Sequence, residues 1–384
     1  MSSILSKRSA VILLLLLLSF LYMATTSKAA SAARQTKAWV FTNNLGTAFN
    51  PPAEWWDSGI NNWDWAGSKV TNGDYNGDGF DDLAVLYGYK TTRQCRLFVF
   101  ISDGAGSYAA PVIWWDSGPG NWDWEGSKLT SGDFSGDGVF DDVAVLYGYG
   151  STRQTKAFVF TSTGATFNPP TEWWDSGPGN WDWEGSKLTA GQYDAGATWD
   201  LAVLYGYGST RQCKAWVLTS TGATFNPPAE WWDSGPGNWD WEGSKLTTGW
   251  FDGAAFADLA VLYGYKSTRQ TKAWVLTSNA LGNAFNPPAE WWDSGPGNWD
   301  WEGSKLTMGW YDGVAGSDLA VLYGYRSTRQ TKAWVFTSNG VTAFNPPAEW
   351  WDSGPGNWDW EGSKLTSGWF TPAGSGLAVL YGYN

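Results

Sequence analysis

Residues 155–212 alternate short apolar runs with clusters of turn formers. Four runs stand out: KAWVF, EWWDS, SKLTAGQY and DLAVLYGY. They are separated by STGATFNPP, SGPGN, a Gly/Asp-rich loop and GYGSTRQ. Runs of this length bounded by Gly, Pro, Asn and Asp predict four β-strands, and no segment carries a helical apolar period. In the last run Leu201, Val203 and Tyr205 fall on one face and Ala202, Leu204 and Gly206 on the other. Both faces are mainly apolar, as for a strand covered on two sides.

The pattern recurs. A WWDSG motif begins at Trp55, Trp114, Trp173, Trp231, Trp291 and Trp350, so the period stays within a residue of 59. A fixed period of that size with four short strands per unit describes the blade of a β-propeller. A β-solenoid would use shorter coils. The expected fold class is therefore all-β: a six-bladed propeller occupying 33–384 as one domain.

The stretch GDYNGDGFDDLAVLYGY at 73–89 resembles the FG-GAP or VCBS repeat, found in integrin α-subunit heads and in many secreted bacterial propellers. In that family the innermost strand precedes the Asp/Gly loop. The resemblance then implies that SKLTSGDF is inner strand A, LAVLYGY is B, KAWVF is C and EWWDS is outer strand D. On this phase the chain opens with a C strand (37–41) and a D strand (54–58). It closes with an A strand (363–370) and a B strand (377–383). The two half-blades complement each other, and joining them would close the ring and cover its open edges.

The bulk composition narrows the partners. A formal net charge of -13 without a basic cluster argues against nucleic acid or membrane insertion of the mature chain. The absence of histidine removes Ser-His-Asp and Cys-His catalysis and any histidine-ligated metal. Lys7 and Arg8 precede an apolar run at 11–23, and Ala30, Ser31 and Ala32 follow, the order of a signal peptide over 1–32 and hence of a secreted protein. An uncleaved anchor is the alternative. Cys95 and Cys213 occupy the same place two repeats apart, too distant for a disulfide, and are expected as free thiols where other copies have Thr.

The first A–B loop supplies oxygen donors at alternate positions around a tight turn, the donor type a short calcium loop needs. By resemblance to FG-GAP blades, Asp74, Asn76, Asp78 and Asp82 would be side-chain ligands and the Phe80 carbonyl a fifth. The second loop offers Asp133, Ser135 and Asp137, and with one residue inserted either Asp141 or Asp142 could close it. Structural calcium at one or both loops is the expected cofactor. The other loops keep few of these donors, and in units four to six an aromatic pair such as Trp250 and Phe251 precedes the loop.

By contrast, WWDSGPGNWDWEGSKLT is identical in five units. Adjacent Trp114 and Trp115 are expected to point to opposite faces of strand D and wedge between blades. The WDWE segment falls in the D–A connection, which the family geometry puts on the rim shared with the STRQ loop. Tryptophan faces with carboxylates and an arginine suit the stacking of a sugar ring and the binding of its hydroxyls. The candidate ligand-binding residues are Trp63, Asp64 and Trp65; Trp122, Asp123, Trp124, Glu125 and Arg153; Trp181, Asp182, Trp183, Glu184 and Arg211; Trp239, Asp240, Trp241, Glu242 and Arg269; Trp299, Asp300, Trp301, Glu302 and Arg329; and Trp358, Asp359, Trp360 and Glu361. One tryptophan of each pair is the better candidate, and packing is the competing role for both. Paired carboxylates also invite a glycosidase or lyase reading. Their recurrence in equivalent places favours multivalent binding instead, since catalysis usually depends on one site with unique neighbours. The expected function is carbohydrate binding in the manner of secreted bacterial propeller lectins, which the chain resembles loosely. Protein adhesion with a purely structural Trp block is the alternative.

Overall fold

The computed structural model describes residues 34–314 and 316–383. The expected signal peptide lies outside the described residues. Six four-stranded antiparallel sheets surround a central axis. In the first blade the strands run outward as Ser68–Gly73 (A), Asp82–Tyr89 (B), Gln94–Phe100 (C) and Val112–Asp116 (D). The next four blades repeat this order.

The closing blade joins the two ends of the chain. Its A and B strands are Ser363–Thr371 and Gly374–Tyr383; its C and D strands are Gln35–Phe41 and Ala53–Asp57. Trp39 pairs with Val379 in the joined sheet. No blade is left with an open inner or outer half, as the strand phase requires. Besides the blade strands there are 3-10 turns at Trp65–Gly67, Trp301–Gly303 and Trp360–Gly362 and a small hairpin, Asn43–Asn44 with Ala48–Phe49, in the first C–D connection. Asn43 Nδ2 donates to the Tyr311 carbonyl at 2.7 Å, which ties this hairpin to the fifth blade.

The apolar core is divided among the six seams rather than gathered at the axis. Leu201, Val203 and Tyr205 pack toward the second blade with Ala144 and Leu146. Ala202 and Leu204 pack toward the fourth with Leu259 and Val261. The strict period-2 alternation of LAVLYGY thus feeds two seams from one strand.

Strand D departs from that alternation. Arg96 pairs with Asp116 and Leu97 with Trp115, but Phe98 pairs with Ile113, so a β-bulge absorbs Trp114. The bulge recurs in each blade. It turns both tryptophans into one seam: Trp114 lies edge-on to Phe167 and Trp115 to Phe160, both of the next blade. The expectation that they serve opposite faces is therefore corrected, because a bulge breaks the two-residue period locally.

Cys95 and Cys213 are buried and free. The thiol of Cys95 faces the Trp122 carbonyl at 3.9 Å, where Thr155 Oγ1 donates to the Trp181 carbonyl at 3.2 Å in the next unit.

Candidate functional site

The D–A connection holds its two tryptophans differently. Trp122, like Trp63, Trp181, Trp239, Trp299 and Trp358, is buried, with exposure of 6–8% across the six. Its indole N–H donates to Ser127 Oγ at 3.0 Å, and its ring meets Trp115 and Tyr147 edge-on. The same indole–serine bond recurs in every unit. A ligand has no access to this ring, so the structure assigns the first tryptophan of each WDW to the seam and removes it from the candidate surface.

The second tryptophan bridges seam and solvent. Trp183 Nε1 donates to the Leu146 carbonyl of the preceding blade at 2.8 Å. Its ring rests on Gly148, where an added Cβ would come within 2.5 Å of the Trp183 Cβ and Cγ. Lys128, from the preceding A strand, places Nζ 4.0 Å from the ring centroid and donates to the Trp183 carbonyl. Burial lowers that lysine to about 8. The remaining surface of the indole is partly exposed at the rim.

Asp182 caps the turn: its Oδ1 accepts the Glu184 N–H at 3.1 Å, while its own N–H donates to Tyr205 Oη at 3.1 Å. Glu184 is left exposed. Arg153 approaches from the B–C loop, where it holds a left-handed backbone with φ of 47° and its carbonyl accepts the Trp181 N–H. Arg93, Arg211, Arg269 and Arg329 share that conformation. The tight turn thus presents the guanidinium outward, next to the WDWE segment that follows it in sequence.

These groups line a rim cavity of about 340 Å³ between the second and third blades, with Asp182, Trp183, Glu184, Arg153, Gln154, Tyr149, Asp123 and Glu125 in its wall. The same arrangement encloses about 170 Å³ at Trp301, Arg269, Asp300 and Glu302. A third copy encloses about 130 Å³ at Trp360, Arg329, Asp359 and Glu361. By strand direction this rim is opposite the A–B loops. Sequence reasoning paired Arg153 with Trp122; the structure pairs it with Trp183 and gives Arg93 to the Trp122 segment, whose N–H binds the Arg93 carbonyl. Gln154 and Tyr149 were missed as lining residues. Their constant distance from Arg153 in each repeat was the available signal. In the closing blade Arg34 pairs with Asp64 at 3.1 Å, and Ala66 stands where other units have Glu.

The A–B loops divide similarly. Asp74 accepts the N–H groups of Gly77, Asp78 and Gly79, and Asp78 accepts that of Phe80 and an Asn76 Nδ2 hydrogen. Asp82 Oδ1 accepts the Ser102 N–H, but Oδ2 is buried without a well-formed hydrogen bond, the Tyr75 N–H influencing the carboxyl from outside bonding geometry. Burial, reinforced by Asp78 and Asp74, pushes Asp82 up to about 8. A buried carboxyl oxygen that feels the charge of two nearby carboxylates fits a hard cation. Among the described residues no three acidic side chains are gathered into a ready cluster, so cation binding would require Asp74 and Asp78 to turn from their present backbone partners.

In the second loop Asp133 accepts the Gly136 and Gly138 N–H groups, Asp137 accepts Val139 and Phe140, and Ser135 Oγ reaches Asp133. Asp142 already binds Ser162 N–H and Ser135 N–H, one per oxygen. Asp141 instead crosses the seam to accept the Asp74 N–H, and Asp81 accepts the Trp369 N–H. Asp200, Asp258 and Asp318 repeat the Asp142 pattern in units that lack the loop ligands. The last Asp is therefore a backbone brace in every loop that has it, and only the first loop leaves one of its oxygens unused among the described residues. The aromatic pair of the later units also resolves into two parts. Tyr75, Phe134, Tyr193, Phe251, Tyr311 and Phe370 are one shared buried position, and Trp250, Trp310 and Trp369 replace the Asp before it.

Residues 66–91 match the FG-GAP repeat family. Among solved structures, the chain is similar to a variant of the Aleuria aurantia lectin in complex with α-methyl-L-fucoside, at 12% identity and a TM-score of 0.46, over 86% of this chain and 95% of that one. It is similar to the same lectin with Fucα1-6GlcNAc, at 11% identity and a TM-score of 0.44, over 82% and 92%. A structure of the Dos1 propeller is similar at 9% identity and a TM-score of 0.37, over 89% and 75%. No curated protein matches the chain.

Proposed function

We propose that the protein is a secreted, multivalent carbohydrate-binding propeller that works by binding rather than catalysis. The observation that carries this reading is the recurrence, at three blade junctions, of a rim cavity that shares an indole, the Asp and Glu flanking it, an arginine and a glutamine. An aromatic wall with a few placed polar groups is the composition of a shallow sugar site. Repetition on a rigid ring lets weak contacts add as avidity. Structural calcium in the first A–B loop belongs to the same proposal, supported by the unpaired Asp82 Oδ2. A glycan array probed with and without calcium tests it: retention of a defined glycan class supports the reading, and a blank array under both conditions sinks it.

A second reading, protein adhesion, has its own observation. Trp199, Trp250, Trp310 and Trp369 border an axial cavity of about 400 Å³ at the calcium-loop end, and Trp310 and Trp369 are 37% and 51% exposed. Exposed aromatics of this kind suit a protein contact. Loss of partner capture by Trp369→Ser, with glycan binding untouched, would favour it.

A further inference from the structure

Across the five rim sites that carry Glu, the residue after Tyr-Gly-Tyr changes in size and charge: Lys90, Gly150, Gly208, Lys266 and Arg326 in successive units. Where that residue is Lys90 or Arg326, its charge is spent on the site itself. Lys90 Nζ lies 3.4 Å from Glu125 Oε1 and 5.3 Å from the centroid of Trp124. Arg326 Nε lies 3.5 Å from Glu361 Oε1, and its guanidinium 5.9 Å from the Trp360 ring. Lys266 lines its cavity too. The cavity holds about 130 Å³ at Arg326, 170 Å³ at Lys266 and 340 Å³ at Gly150, where the lining extends to Asp123, Glu125 and Gly126 of the preceding connection. At Gly150 and Gly208 an added Cβ would meet nothing within 4 Å.

The chain thereby shows which chemistry suits the place above this indole. It is a cation, held by the ring face and by the glutamate. At Gly150 the cavity is lined by four carboxylates, Asp123, Glu125, Asp182 and Glu184, against the single guanidinium of Arg153. Glu125 is shared with Lys90, which leaves Glu184 as the carboxylate in the position that Glu125 and Glu361 occupy in their own sites. A tethered lysine acts at an effective concentration on the order of millimolar, so a weakly bound free amine competes poorly where Lys90 or Arg326 is present. Where glycine stands, the ring keeps the A-strand lysine found in the other units too, Lys128 at 4.0 Å from Trp183 and Lys187 at 3.4 Å from Trp241, and no side chain takes the place that Lys90 and Arg326 fill.

We infer that the Gly150 site, and the Gly208 site that repeats its residues, are the open ligand sites of the ring, and that their ligand is a sugar carrying a free amino group, whose ammonium takes the place Lys90 and Arg326 fill in their own sites. The inference rests on the carbohydrate-binding reading and deepens it to hexosamines. The pyranose ring would lie against the indole, with its hydroxyls near Arg153 and Gln154.

The test is calorimetric titration of the full mature chain with a glucosamine tetramer and with its fully N-acetylated form, which has the same ring and no charge. The expected result is binding of the amine form, at least about tenfold tighter than the acetylated form, at the two glycine sites. Gly150→Lys with Gly208→Lys is expected to abolish binding at an unchanged melting temperature, since both side chains grow into open space. Lys90→Gly, Lys266→Gly and Arg326→Gly together are expected to raise the number of sites. Equal binding of both tetramers overturns the amine inference while leaving carbohydrate binding standing. Binding of the amine form that survives the double lysine variant places the ligand elsewhere and also overturns it. Failure of both tetramers alongside a positive glycan array rejects the inference alone, whereas a blank array rejects the underlying reading.

Discussion

Trp183 lies on Gly148 so closely that a Cβ on the glycine would stand 2.5 Å from the Cβ and Cγ of the indole side chain. The glycine of Tyr-Gly-Tyr is there for approach, not for backbone freedom: its φ is not in the left-handed region. Gly148→Ala must push the indole off its shelf and stretch the bond from Trp183 Nε1 to the Leu146 carbonyl. Overpacking of this kind costs about 1–3 kcal/mol. Gly150→Ala, two residues away and facing open space, should change stability by less than about 0.5 kcal/mol. Urea denaturation of the two variants checks this, and a Gly148→Ala protein as stable as the parent would contradict the stacked arrangement.

The two tryptophans of one WDW segment should separate folding from binding. Trp181 is enclosed by Trp174, Tyr205 and Trp216 at centroid distances of 5.3, 4.9 and 5.9 Å. Its removal as Trp181→Ala should cost about 3–5 kcal/mol, the range for deleting a large buried aromatic. Trp183→Ala loses less buried area and one hydrogen bond, about 1–2 kcal/mol by comparison with typical substitutions, but removes the wall of the rim cavity. Denaturation curves combined with glycan titration should show Trp181→Ala as the stability variant and Trp183→Ala as the binding variant.

The strand count, the blade period and the complementary half-blades were legible in the letters because each follows from local alternation and chain phase. The roles of the tryptophans were not. Trp114 and Trp115 obey period 2 on paper, yet the bulge opposite Leu97 and Phe98 turns both into one seam. Trp181 and Trp183 sit in the same motif, and only the blade neighbours decide which is enclosed. The residue after Tyr-Gly-Tyr drew no notice for a related reason. Repetition drew attention to identical positions, while the difference between Lys90 and Gly150 acquires meaning only when Glu125 and Trp124 are seen beside it.

Calcium should distinguish the two acidic A–B loops. Asp82 keeps an unpaired buried oxygen, whereas both oxygens of Asp142 accept backbone N–H groups. The expected outcome is a calcium-dependent rise in melting temperature, equivalent to about 2.7 kcal/mol at a hundredfold excess over the dissociation constant. Asp78→Asn should remove it and Asp137→Asn should leave it. A calcium titration of the chelator-treated protein that shows the reverse dependence would assign the cation to the second loop.

Two desolvated groups, Asp258 fully buried and Lys245 partly so, should give stability opposite dependences on pH. Burial raises Asp258 to about 7, although its oxygens accept the N–H groups of Phe251, Asp252 and Ser278. The folded chain then keeps a proton that the unfolded chain releases near 3.8. This contribution is full at low pH and is lost as pH rises through 7. Burial lowers Lys245 to about 7, with repulsion from Lys305 and Lys187 on either side adding to it. Here the unfolded chain holds the proton up to about 10.5, so the contribution grows as pH rises from 7 toward 10. The stability advantage of the parent over Asp258→Asn should therefore shrink between pH 5 and 8. Its advantage over Lys245→Met should widen between pH 7 and 10. Melting temperatures of the three proteins across that range, in the absence of calcium and of multivalent anions, read both slopes at once. Parallel curves would show that neither group changes its protonation on unfolding.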